Sequence, residues 1–288
     1  MSSRESVIVR KSKRLPSTGE VLVKKGDRVN PKTIIAKGEV RNPNLHEVRV
    51  DKKLGVDPEN VRPYLLKHEG DKVKKDEVLA LRRSIFGKTK ICRSPVDGTI
   101  EVFSATLGKL LIRGAPIPIE VRAHIPGKIV EIFEGEGATI ECKAHVLEGT
   151  FGISGESEGE LEICVQSPDE ALTADNIEGS NIGKVIVGGS IATLEALRKA
   201  SDVGVKGVIV GGVDEKDLTE LLGYELGLGI TGGEALGYTL ILMEGFGPNP
   251  MEDQIFELLR SFRGKVACID GATQIRARMQ RPEIIIPV

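Results

Sequence analysis

One short pattern, a Gly-Asp turn between apolar strand-like runs, occurs twice and constrains this chain more than any other feature. Lys25-Gly26-Asp27-Arg28-Val29 leads on to Ile34-Ile35-Ala36, and Glu69-Gly70-Asp71-Lys72-Val73 leads on to Val78-Leu79-Ala80. Each reads as a strand, a tight turn, one apolar residue, a polar bend and a second strand. Glycine supplies the left-handed backbone that such a turn needs, and the aspartate accepts from nearby amides. Alternating residues such as those of Glu20-Val21-Leu22-Val23 mark the flanks as strands rather than helices.

A second pattern follows. Ser94-Pro95-Val96-Asp97-Gly98-Thr99-Ile100 leads to a glycine at Gly108, and Pro126-Gly127-Lys128-Ile129 leads to one at Gly137. Each reads as a turn, a strand and another turn. β character continues through Val146 to Glu160-Leu161-Glu162-Ile163-Cys164-Val165. Together, Glu69 to Ala80 and Ser94 to Ile100 resemble the two-part signature of biotinyl and lipoyl domains, the barrel-sandwich hybrid superfamily. The resemblance covers roughly residues 15–145 and implies an all-β hybrid body. It says little about function, because such a fold hosts many roles. Acylated members carry a lysine on a hairpin tip before the Ser-Pro segment. Gly87 occupies that place here, with Lys88 one residue away and Lys90 beyond it. The expectation is an unmodified module with no cofactor, Lys88 being the weak candidate for a modified lysine.

Beyond Gln166-Ser167-Pro168-Asp169-Glu170, which reads as a linker, the period changes. Strands are expected at residues 184–187, 207–210, 238–243, 265–269 and 283–288. Helices are expected at 191–200 with Ser190 as cap, from Asp214 through 222, and at 250–262. Strands alternating with helices indicate a small α/β layer with a mainly parallel sheet. Gly183-Lys184-Val185 and Gly204-Val205-Lys206-Gly207-Val208-Ile209 faintly resemble swivelling or protease-associated α/β modules. The fold class expected is thus α+β multidomain. Its segments are a basic tail at 1–14, a hybrid domain at 15–115, a β-rich subdomain at 116–166 and an α/β domain at 167–288.

Candidate chemistry lies at strand ends, where open α/β sheets bind ligands. Double glycines occur at Gly188-Gly189-Ser190, Gly211-Gly212 and Gly232-Gly233. The first could bind a small anion through its amides and the Ser190 hydroxyl, against the simpler reading of tight turning. Asp214, Glu244 and Asp270, with Thr273-Gln274 nearby, are the weak catalytic candidates; three carboxylates at one sheet edge would suit a divalent cation or acid/base work. Each alone serves equally well as a helix cap or turn former. Arg276, Arg278 and Arg281 form the one basic cluster of the rear half. Neither Walker nor dinucleotide glycine patterns occur. Cys92, Cys142, Cys164 and Cys268 stand apart without metal or redox spacing, so they read as reduced thiols, and no metal site is expected.

Charge is uneven. Residues 1–120 hold 26 Lys+Arg against 15 Asp+Glu, while 121–288 hold 14 against 27. This suits either a polyanion-binding front half or two halves that neutralise each other. Arg10, Lys11, Lys13, Arg14, Lys24, Lys25, Lys72, Lys74, Lys75, Arg82 and Arg83 could neutralise phosphates, yet few aromatics accompany them for base stacking. No long apolar run and no leader-like apolar segment occur, so a cytoplasmic protein without membrane contact is expected. The lack of tryptophan and the excess of Lys and Glu over Asn and Gln are compatible with a thermophilic source.

The sequence therefore reads as a non-enzymatic binding or assembly protein with a protein partner, and homo-oligomerisation is compatible with it. The alternatives are binding of RNA or a transcription complex through the basic N-terminal half, and an enzyme using the strand-end carboxylates. The purified chain is expected to show the unmodified mass of its 288 residues, 31.1 kDa, in intact mass spectrometry. An acyl adduct at Lys88 or Lys90 would contradict the unmodified reading.

Overall fold

The computed structural model describes residues 6–83, 89–224, 236–273 and 281–288. The chain is β-rich, with several sheets and few helices. It forms two compact units. The first comprises Met1–Arg14, Val21–Ile35 and Val121–Val288, and the second Leu15–Glu20 and Ala36–Glu120. The segments expected at 15–115 and 116–166 do not coincide with these units: 21–35 and 121–166 belong to the first, 36–120 to the second.

Both Gly-Asp turns form, and they form with the same bonds. Gly26 has φ 99° and Gly70 has φ 89°, the left-handed region that an ordinary side chain disfavours. The Gly26 amide donates to Ile129 O at 2.8 Å, and Ile129 N returns a bond to Asp27 O at 2.9 Å. Gly70 donates to Ile100 O at 2.8 Å, and Ile100 N returns one to Asp71 O at 3.0 Å. The Asp27 carboxylate accepts from the Lys24 amide and the Asp71 carboxylate from the His68 amide, both at 2.8 Å. After each turn a two-residue strand, Arg28–Val29 or Lys72–Val73, pairs antiparallel with the start of a longer one, Gly127–Phe133 or Gly98–Ser104.

Those longer strands fold back as hairpins, Gly127–Phe133 on Gly137–Glu148 and Gly98–Ser104 on Lys109–Gly114. Each carries one extra residue at the same point, Val130 in the first and Glu101 in the second, a bulge that bends the strand. Gly127 and Gly98 are packed so closely that an added Cβ would lie 2.4 Å from Glu141 O and 2.0 Å from Arg113 O. The same positions fill both cores: Val29 and Val73, Ile35 and Leu79, Ile129 and Ile100, Ile140 and Ile112. These two copies are nested. Residues 24–35 and 123–141 make the outer one, and 68–79 and 94–113, lying between them in the chain, make the inner one. In the inner copy the paired strands Val78–Arg83 and Thr89–Arg93 are joined through 84–88, which lie outside the described residues. In the outer copy the corresponding paired strands, Ile34–Val40 and Ile117–Arg122, are joined by the chain of the second unit.

The basic segment at 1–14, expected to be a tail, contributes a strand, Val7–Arg14. It pairs residue for residue with Gly137–Glu148. The wider sheet of this unit runs on through Glu283–Pro287 and Val266–Asp270, both antiparallel, to Glu156–Ile163. From there Glu156–Ile163, Val185–Val187, Gly207–Val213 and Thr239–Phe246 pair parallel. Phe151–Ile153 closes that edge antiparallel.

Helices Leu194–Val203, Glu215–Leu222 and Asp253–Ser261 cover this part. They bury Leu194, Ala196, Leu197, Ala200, Leu218, Phe256 and Leu259. The first two helices end at Gly204 and Gly223 in left-handed conformation, a common helix stop. No helix among the described residues is long and apolar enough to cross a membrane.

Gly98→Ala and Gly127→Ala are each expected to cost about 2–4 kcal/mol in urea unfolding, because the added methyl meets backbone carbonyls that cannot move independently. Gly179→Ala, with nothing within 4 Å of the new methyl, should stay within about 0.5 kcal/mol of the parent.

Candidate functional site

The three candidate carboxylates do not share an edge. Asp214 follows the Gly207–Val213 strand and caps the next helix, accepting from the Lys216 amide at 2.8 Å. Glu244 lies within the Thr239–Phe246 strand and accepts from the Glu252 amide at 3.3 Å. Asp270 ends a strand that runs antiparallel to Glu156–Ile163, and it stands opposite Glu156. It therefore falls at the end of the sheet away from Asp214 and Glu244, whose strands run parallel to Glu156–Ile163. Antiparallel entry of the last strands, which apolar periodicity does not reveal, is the physical reason.

The Gly188-Gly189-Ser190 turn is engaged with its own chain. Gly188 N donates to Ile209 O, Ser190 N to Glu170 O, and the Ser190 hydroxyl to Asp169 O at 2.8 Å. A Cβ on Gly189 would lie 2.3 Å from Glu170 O. Carbonyl oxygens thus crowd this turn. The helix cap expected at Ser190 is Thr193 instead, whose hydroxyl accepts from Ala196 N, because Ile191–Ala192 first forms a short strand. Lys88, Gly232, Gly233, Gln274, Arg276 and Arg278 lie outside the described residues, and Arg281 is exposed. Lys90 lies in the Thr89–Arg93 strand.

Asp270 lines a cavity of about 420 Å³ in the first unit. Strand Val7–Arg14 supplies Lys11 and Lys13, which alternation places on one face with buried Val9. Lys11 pairs with Glu283, and Lys13, its side chain only 11% exposed, pairs with Glu156. His124 also lines the space, with φ 55°, a conformation uncommon outside glycine. Its Nε2 lies 3.7 Å from Glu156 and its Nδ1 3.7 Å from Glu158. That Nδ1 is buried and makes no hydrogen bond among the described residues. Burial holds the Asp270 carboxyl above its ordinary range, opposed by the Ala272 amide that donates to it at 2.9 Å. Burial also pushes the Cys268 thiol up to about 12, so it stays protonated at neutral pH and is a poor nucleophile.

The ammonium groups of Lys11 and Lys13 are already matched by Glu283 and Glu156, so the cavity presents paired charges with the Asp270 carboxyl at its wall. Among the described residues no three His, Cys, Asp or Glu side chains are grouped to hold a metal ion. Lys11, Lys13, His124 and Glu156 were not read from sequence as parts of one site. The only signal was the alternation of Lys11 and Lys13, and their distant partners carry no local mark.

No family model matches the chain, nor does any curated protein or any solved structure.

The folded-state pKa of Asp270 lies above its unfolded value of about 3.9. Stability contributed by its protonation is thus complete below that pH and is lost as pH rises through the folded value. Asp270→Asn removes this loss. Melting temperatures measured from pH 4 upward should diverge in favour of the variant, and parallel curves would contradict the assignment.

Proposed function

We propose that this protein is a non-enzymatic binding or assembly protein. Its two Gly-Asp modules, nested in the chain and read as biotinyl/lipoyl-type hybrids, serve as interaction platforms, and the mainly parallel α/β layer serves as a docking domain. The observation that carries this reading is the repeated clamp itself, with the same amide-to-carbonyl bonds, bulge and buried positions in both copies. Separation of Asp214, Glu244 and Asp270, two of them engaged as a helix cap and a helix-entry brace, argues for binding over chemistry.

Charge also supports it over polyanion binding by the first strand. Arg10, Lys11, Lys13 and Arg14 pair with Glu141, Glu283, Glu156 and Glu136. Part of the front-half excess is thereby matched inside the protein, and neutralised cations release few counterions from nucleic acid.

The full chain purified from cells that express it naturally is expected to co-elute with a protein partner in fixed stoichiometry, read by light scattering and mass spectrometry. Elution of the chain alone at every salt concentration, or with nucleic acid that nuclease removes, would sink this reading.

A further inference from the structure

The two clamps each border a groove, and the grooves differ in one respect. On the outer copy, Arg28, Val29, Gly127, Lys128 and Lys143 line it, and Pro287 and Val288 complete the wall. These last two continue the Glu283–Pro287 strand, and the Val288 amide donates to Lys143 O at 3.0 Å. About 370 Å³ is left. In the inner copy the equivalent positions by register are Lys72, Val73, Gly98, Thr99 and Ala115. Here every described lining residue comes from 72–77, 97–99 or 115–116, so no returning strand closes the groove, and the space is about 800 Å³. The carbonyl matching that of Lys143, Ala115 O, accepts from the Asn42 side-chain amide at 3.0 Å. A guest would therefore hold to the groove floor and rim rather than to that carbonyl.

The floor and rim have a definite character. Ala115 and Pro116 are apolar and exposed, whereas Val73 is buried in the core, and no aromatic residue is among the described lining. Lys72, Lys74 and Lys75 are exposed, and their ammonium groups make no ion pair among the described residues. Two of the acids nearby are already engaged. Glu77 pairs with Lys67 at 2.6 Å and accepts from the Lys74 amide, while Asp97 accepts from the Lys75 amide at 2.6 Å. Only Glu77 is matched by a cation; Asp97, bonded to a neutral amide, and Asp76 keep their charge, so three unpaired ammonium groups face two carboxylates in the described lining.

We propose that this groove docks an extended acidic segment of a protein partner, its apolar side chain on Ala115 and Pro116 and its carboxylates on Lys72, Lys74 and Lys75. The proposal rests on the binding-protein reading above and names the surface and the chemistry of the guest. In the equivalent outer groove an extended strand end, Pro287 and Val288, already forms one wall. Absence of a stacking aromatic favours peptide over single-stranded nucleic acid.

The test uses the full chain and a fluorescein-labelled peptide carrying Ile284-Ile285-Ile286-Pro287-Val288 flanked by added glutamates. Fluorescence anisotropy at low salt should show saturable binding that weakens as salt rises. Charge reversal at all three lysines (K72E, K74E and K75E together) should weaken it by roughly tenfold or more. A lysine-flanked version should not bind. Thermal melts establish that the variant is folded, and alanine at the same three positions serves if it is not. No saturation up to about 1 mM, affinity unchanged in a folded variant, or displacement of the peptide by a poly-U oligonucleotide would each overturn the proposal. If the native partner co-purifies equally with parent and triple variant, this groove is wrong and the broader reading stands. If neither retains a partner, the broader reading fails.

Discussion

A hydrogen-bonded clamp between a left-handed glycine and the strand facing it underlies the front of this protein. The glycine amide, at Gly26 or Gly70, reaches across to Ile129 O or Ile100 O, and the next residue's carbonyl takes the return bond. The facing strand begins with a glycine in each copy, Gly127 or Gly98, where a side chain would meet a carbonyl of the hairpin partner, Glu141 O or Arg113 O. The clamp fixes register, because a slip of one residue would turn Ile129 or Ile100 from the core to solvent. Each core is small, and each buried isoleucine or leucine contributes about 1.5–3 kcal/mol. Register is therefore what converts a short apolar stretch into a packed body.

The paired strands beyond each clamp explain how one module can sit within another. A two-stranded stem tolerates whatever joins its ends, since closing a longer loop adds only slowly to the entropic cost. Residues 84–88 join one stem and the second unit joins the other. Within that unit, Arg113 and Arg41 both bind Glu101, the bulge residue, and hold its carboxyl down to about 2. The bulge thus directs a charged side chain to a bidentate cation.

Electrostatics organise the first unit differently. The Val7–Arg14 strand is basic along its length, and its cations meet acids drawn from residues 136 to 283. Pairs as exposed as Arg10 with Glu141 contribute little to stability. The Lys13–Glu156 pair is more enclosed and borders the cavity that holds Asp270 and His124. The same charges that make the N-terminal segment look like a solvated tail are what seat it on the sheet. Raised thiols at Cys268 and Cys164, each near 12 through burial, show these cysteines acting as core residues.

Local chemistry wrote much of this protein into its sequence. The Gly-Asp turns, the Asp214 cap, and the strands near 184–187, 207–210 and 265–269 all follow from residues within a few positions of one another. What Asp270, Lys13 and His124 share was not legible, because their neighbours come from strands far apart in the chain. Nor was the separation of Asp214 from Asp270, since strand direction depends on how the chain returns and alternation is the same either way. Ser190 and Thr193 both look like caps in isolation; the short Ile191–Ala192 strand decided between them. The sequence alone determined turns, periodicities and charge; the tertiary structure decided nesting, strand direction and which charges meet. Hydrogen bonds across a turn depend on adjacent residues, whereas pairing between distant strands depends on the whole chain closing at once.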